Sequence, residues 1–182
     1  MTDDRAEPEH LSLRWPGERA DPPRIAGETA MLQAYLDHYR RTLELKCEGL
    51  SDDELSTRSV PPSTMSLHGL LRHLAGVERW WFRINFAGQD VPMLYYTDDE
   101  PDLDFEWHAG ERASDALATW RAECDASRRV VAEAAMDDEA DPVVGSERFS
   151  LRWLMLRMIA EYAQHCGHAD LLRERVDGRT GA

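Results

Sequence analysis

The stretch that decides the fold is Phe149-Ser-Leu-Arg-Trp-Leu-Met-Leu-Arg-Met-Ile-Ala-Glu161-Tyr-Ala-Gln-His165-Cys-Gly-His168-Ala-Asp-Leu-Leu-Arg-Glu-Arg-Val-Asp177-Gly178. Leu151, Leu154, Met158, Tyr162, Cys166 and Leu172 fall on one helical stripe, the signature of an amphipathic helix. Phe149-Ser150 opens it, and Asp177-Gly178 stops it, because a glycine can take the left-handed cap. One such helix cannot bury its own apolar face. It needs partners.

Working outward, the chain supplies three. From Glu28, the residues Leu32, Tyr35, Leu36, Tyr39, Leu43, Cys47 and Leu50 recur at helical spacing, with Gly49 as the stop. Ser51-Asp52-Asp53-Glu54 then reads as a capping box on a short helical segment. Ser66 is a good N-cap for a second long helix, with the stripe Leu67, Leu70, Leu71, Leu74, Val77, Trp80, Trp81 and Ile84, ending at Gly88. A third runs from about Arg112 to Ala135 and buries Ala113, Leu117, Trp120, Cys124 and Val131. No strand pattern competes with these. The expectation is an all-α four-helix bundle over residues 26–182. Residues 1–25, polar and proline-punctuated, are expected to form an extended arm docked through Leu11, Leu13 and Trp15. The irregular stretch from Gly88 to Gly110 is long enough to be a crossover loop or a lid.

Composition narrows the function. The 182 residues carry 21 Lys and Arg against 35 Asp and Glu, a net charge of −14. Nucleic acid and anionic membrane surfaces are therefore poor partners, since both require a basic face. No run of 18 apolar residues exists to span a bilayer, and the acidic N-terminus has no apolar signal region, so a cytoplasmic location is expected. Three cysteines, Cys47, Cys124 and Cys166, with no C-x-x-C, indicate buried reduced thiols.

The chemistry-bearing residues sit in the decisive stretch. At about 100° per residue, Glu161, His165 and His168 project from one narrow stripe. A carboxylate and an imidazole at i, i+4 can converge on a divalent ion, and a third ligand must then come from a facing helix. His73, in Leu70-Leu71-Arg72-His73-Leu74-Ala75-Gly76, is placed to supply it. The alternative is a weak Glu–His pair on a solvated helix face. Gly76 and Gly167 are expected to let the backbones approach and leave room for a ligand. His10, His38 and His108 have no partner at ligand spacing, and His68 is expected to be exposed. Trp80-Trp81 and Tyr95-Tyr96 could wall a pocket. Cys166 lies next to His165, but adjacent helical residues diverge, so the two do not form a nucleophilic pair.

Three strings carry a resemblance: Leu43-Glu-Leu-Lys46-Cys-Glu-Gly-Leu50 with Ser51-Asp-Asp-Glu-Leu55, Ser66 through Phe82, and Glu161 through Glu174 with Asp177-Gly178. The chain resembles the DinB-like superfamily of four-helix bundles and, more closely, its mini-circle protein branch. With Glu161 at the middle ligand position it also resembles the mycothiol-dependent maleylpyruvate isomerases of the same superfamily. The resemblance implies a zinc or nickel ion held by His73, Glu161 and His165. His168 falls where the superfamily often has Gln, and is open to three roles: fourth ligand, hydrogen-bond partner of a ligand, or proton carrier. Arg157, one turn before Glu161, stands where this branch leads us to expect His, and a guanidinium there can compete for Glu161.

The implied activity is that of a metal-dependent thiol enzyme. A low-molecular-weight thiol such as mycothiol or bacillithiol would attack a small electrophilic molecule, giving an S-conjugate or an isomer, with His168 as the catalytic proton carrier. The alternative is a non-enzymatic metal-binding or interaction module, a sensor or a sequestration protein. A monomer or homodimer is expected.

Overall fold

The structure, a computed structural model, describes residues 19–96, 103–108, 110–140 and 147–180. The arm contacts of Leu11, Leu13 and Trp15, and residues 97–102 and 109 of the irregular stretch, lie outside the described residues. The helices are α1 (Glu28–Cys47), α2 (Asp52–Leu55), α3 (Leu67–Glu78), α4 (Ala113–Ala132) and α5 (Leu151–Asp177). The all-α bundle expected from the sequence is the observed fold. Its one sheet among the described residues is minimal: β1 (Glu139–Ala140) pairs antiparallel with β2 (Phe149–Ser150).

The local signals explain the boundaries. Ser66 Oγ accepts from the Gly69 N–H at 3.0 Å, and Ser150 Oγ accepts from the Trp153 N–H at 3.3 Å. Ser51 and Glu54 form the reciprocal capping box. Gly178, at φ 78°, closes α5 with its N–H on the Glu174 carbonyl.

The four long helices pair as α1 with α5 and α3 with α4, while α3 also touches α5. Leu43, Leu70, Leu71, Leu74, Leu151, Leu154, Met158 and Tyr162 are fully buried between them. Each such aliphatic side chain contributes about 1.5–3 kcal/mol of burial free energy. The α3–α5 contact brings the helix that carries His73 to the helix that carries Glu161 and His165.

Three expectations need correction. The second long helix does not stay α-helical to Gly88. After Glu78 it widens into a π-helical segment, Arg79–Phe86, whose end is marked by the Ala87 N–H on the Phe82 carbonyl. Along it Phe82, Ile84 and Asn85 are buried, and Trp80 and Trp81 are half-buried. Second, His68 is not exposed but fully buried. Its Nδ1 lies 3.0 Å from Ser56 Oγ, and its ring packs on Trp107 at 4.4 Å. The segments around α2 and residues 105–107 fold over the first turn of α3. That covering comes from distant parts of the chain, so helical phase alone does not reveal it. Third, Gly76 makes room for Tyr96, not for a ligand: a Cβ there would meet the Tyr96 ring at 3.0 Å. Gly167 faces open space, with nothing within 4 Å.

A buried polar network crosses the bundle centre. Arg40 donates to both carboxylate oxygens of Glu78, at 2.8 and 2.7 Å. Tyr162 donates to Glu78 Oε1 at 2.7 Å and accepts from Trp120 Nε1 at 2.8 Å. The Arg40 guanidinium and these hydrogen bonds outweigh the cost of burial and keep Glu78 below the ordinary carboxylate range.

Candidate metal centre

α3 and α5 deliver the site from opposite sides. His73 lies just past the middle of α3, flanking its apolar stripe, and stays partly accessible. Glu161 and His165 lie one turn apart on α5, on the edge of its buried face, and both are buried. Glu161 Oε1 lies 3.2 Å from His73 Nε2 and 3.2 Å from His165 Nε2. The imidazole centroids are 4.7 Å apart.

One ligand atom from each of His73, Glu161 and His165 lies within 4.8 Å of the others. A tetrahedral ion bound at about 2.0–2.1 Å has ligand atoms about 3.3 Å apart. The two 3.2 Å separations match that edge, and two imidazoles with one carboxylate are a fitting donor set for a divalent transition metal. The residues present therefore fit such an ion.

The electrostatics are those of an imidazole pressed between carboxylates. Burial opposes charge on His73, but hydrogen bonds to Asp104 and Glu161, with their charges, raise its pKa to about 9. Hydrogen bonds from His165 and His73, with Arg157, hold Glu161 far below the usual carboxylate range against the effect of burial. Arg157 does pair with Glu161, as its spacing suggested, but on Oε2, the oxygen turned away from the imidazoles. Arg157 in turn sits 5.9 Å from the Trp81 ring centroid, and Trp81 packs with Phe149 and Trp153.

His168 is placed one step out. Its Nδ1 lies 3.3 Å from His165 Nδ1, the nitrogen on the far side of the ring from Glu161. Burial and the neighbouring His165 lower its pKa. His38 lies apart, with Nδ1 on the Ala20 carbonyl. His108 lines a separate cavity of about 530 Å³, whose walls include His68, Arg72, Trp107 and Glu111 but none of the three clustered residues.

Two residues escaped sequence reasoning. Asp104 Oδ2 lies 2.6 Å from His73 Nδ1, and the Phe105 ring stacks on His73 at 5.2 Å. Both come from the crossover segment, 31 and 32 residues downstream. Their only signal in the sequence was an acid and an aromatic inside a long irregular loop. None of the cysteines joins the site. Cys166 turns to the Tyr39 carbonyl, and burial pushes its thiol up to about 12. Burial likewise pushes Cys47 up to about 12.

The fold and the site define a helical bundle with a His–Glu–His cluster, able to hold a metal, between two of its helices. Residues 31–178 match the mycothiol-S-transferase family model, and the chain belongs to that family. Among solved structures, a conserved protein from Enterococcus faecalis is similar, with a TM-score of 0.58 and 16% identity, covering 85% of this chain and 100% of that one. At that identity the likeness shows the fold alone. No curated protein matches the chain. Among the described residues, no helix is long and apolar enough to cross a membrane.

Proposed function

We propose that the protein is a divalent-metal-dependent thiol S-transferase or isomerase, with mycothiol, or a thiol of the bacillithiol type, as its co-substrate. The observation that carries this reading is the convergence of His73 Nε2 and His165 Nε2 on Glu161 Oε1, from two helices, at separations suited to one ion. Membership of the mycothiol-S-transferase family supports the thiol. Zinc and nickel are the proposed metals. Both accept imidazole and carboxylate ligands.

When bound, the ion supplies positive charge that makes a thiol acidic at neutral pH. The chain's own residues do the rest. His73, Glu161 and His165 would hold the ion with three ligands, and three is the count that leaves a position open in a catalytic site. Two neutral imidazoles and one carboxylate leave the centre with net positive charge, which favours an incoming thiolate. Arg157 fixes the Glu161 carboxylate through its second oxygen. His168, half-buried and in contact with His165, is the proposed proton carrier. It would accept the thiol's proton as the sulfur attacks the electrophile. A new S–C bond forms; in a transfer a leaving group departs with its electron pair, and in an isomerisation the adduct rearranges and the S–C bond breaks again, releasing the isomer and the thiolate, to which the proton returns. The buried, raised thiols of Cys47 and Cys166 are unsuited to act as the nucleophile, which supports an external thiol.

The test is to load the protein with zinc or nickel and supply mycothiol, bacillithiol or glutathione with a small electrophile such as monobromobimane. S-conjugate formation is followed by mass spectrometry. Metal-dependent conjugation with mycothiol or bacillithiol, lost in His73→Ala, is the expected result. Rates equal to the uncatalysed reaction with every thiol and metal would overturn the proposal.

A further inference from the structure

The crossover segment is tied to the site by a specific strap. Arg72, next to His73 on α3, is buried and donates from Nε to the Asp104 carbonyl and from Nη2 to the Leu103 carbonyl, each at 3.1 Å. The Tyr95 ring covers its guanidinium, with the charge centre 4.1 Å from the centroid, and Glu111 pairs with Nη1. Gly69, one turn earlier on α3, removes the side chain that would obstruct the segment: a Cβ there would meet Phe105 Cδ1 at 3.0 Å and Phe105 Cα at 3.5 Å. The 3₁₀ turn Leu103–Phe105 is thus laid against α3 at two levels, by a clamp on its carbonyls and by a fitted ring.

The strap presents Asp104 to His73. Asp104 is 4% exposed, and its Oδ2 lies 2.6 Å from His73 Nδ1. Its other oxygen, Oδ1, is buried without a hydrogen-bond partner among the described residues. A carboxylate in that position is costly to bury, and among the described residues His73 is the side chain that hydrogen-bonds it. The bond has a definite consequence. Asp104 accepts the Nδ1 proton in a hydrogen bond and keeps it there, so Nε2, which faces Glu161, is the nitrogen that would give up its proton and offer a lone pair to an ion. Phe105, stacked on the ring, restricts rotation about χ2.

We propose that Asp104 is a positioning residue for His73, fixing its tautomer and ring orientation for metal binding, and that Arg72 acts through it by holding the Leu103–Phe105 turn in place. This rests on the metal-centre reading of His73, Glu161 and His165. The crossover is on this account a fixed wall of the site at residues 103–105, not a lid.

The experiment loads the full-length protein with Co²⁺ alone and follows its visible absorption during a chase with excess chelator. The chase rate reports how firmly the loaded ion is held, independently of any proton His73 carries before the ion arrives. Asp104→Ala is expected to lose cobalt about 10–100-fold faster, the range found when outer partners of ligating histidines are removed. Asp104→Asn, whose amide oxygen still accepts from Nδ1–H, is expected to recover much of that loss. Arg72→Lys cannot span both carbonyls and is expected to speed cobalt loss in a fully helical protein, so it carries the test if Asp104→Ala does not fold. Combining Arg72→Lys with Asp104→Ala should add little to the latter, because both remove one function. Cobalt leaving Asp104→Ala, or Arg72→Lys where the alanine variant does not fold, at the wild-type rate with an unchanged spectrum would overturn the inference while leaving the metal centre intact. Wild-type protein that takes up no cobalt would instead overturn the metal-centre reading itself.

Discussion

Arg157 holds Oε2 of Glu161 and leaves Oε1 to the two imidazoles. The guanidinium and a metal therefore need not contend for the same lone pairs. A carboxylate fixed at one oxygen has fewer orientations to lose when the other binds an ion. Arg157→Ala is accordingly expected to keep one metal per chain and to weaken affinity by about 10-fold, as loss of an outer partner does. Competitive metal-binding titration against a chelator reads this. Tighter binding in the variant would mean that Arg157 competes for Glu161 instead of orienting it.

Glu161 and His168 share a helical stripe, but only Glu161 faces both His73 and His165. Glu161→Ala is expected to lose most of the metal. His168→Ala should retain it and lower thiol transfer by about 10²-fold or more, the usual cost of losing an acid–base group. Metal content and conjugation rate, measured on the same preparations, separate the two. An empty His168→Ala protein beside a full Glu161→Ala protein would reverse the assignment.

His73 contributes a distinct pH dependence to the stability of the metal-free protein. Its pKa rises from about 6.5 in the unfolded chain to about 9 in the folded one. The folded state thus holds this proton more tightly. The resulting stabilisation is complete below about pH 6.5 and is lost as pH rises through about 9, with a slope of at most about 1.4 kcal/mol per pH unit. Urea unfolding of metal-free protein between pH 6 and 9.5 should show the decline, and His73→Gln should flatten it. An equal slope in both proteins would assign the effect to other groups.

How much of this was readable in advance depended on sequence separation. The four helices, the caps at Ser66 and Ser150 and the stop at Gly178 are local signals, and each stands in the structure. The approach of His73 to Glu161 and His165 followed from two apolar stripes that must face a common core. Helical phase places His68 at the surface, whereas its cover comes from Ser56 and Trp107, which no helical periodicity links to it. Asp104 was invisible for the same reason. A loop's register against a helix is set by contacts such as Arg72 on the Leu103 and Asp104 carbonyls, which leave no repeat in the sequence. The π-helical turn at Arg79–Phe86 also departs from the 3.6-residue period on which the reading relied.

The bundle and the site should be separable by mutation. Tyr162→Phe removes the hydroxyl that accepts from Trp120 Nε1 and donates to Glu78. Leaving the indole N–H unpaired in the core is expected to cost about 1–3 kcal/mol. Chemical denaturation should show that loss, with metal stoichiometry unchanged. A variant as stable as wild type would mean that the network relaxes or admits water.

The central claim is that His73, Glu161 and His165 hold one divalent ion, and elemental analysis of protein purified without a metal-affinity tag tests it most directly. About one zinc or nickel per wild-type chain is expected, with a full complement in His108→Ala and little in His73→Ala, which lacks the ligand from α3. Equal metal content in wild type and His73→Ala would contradict it.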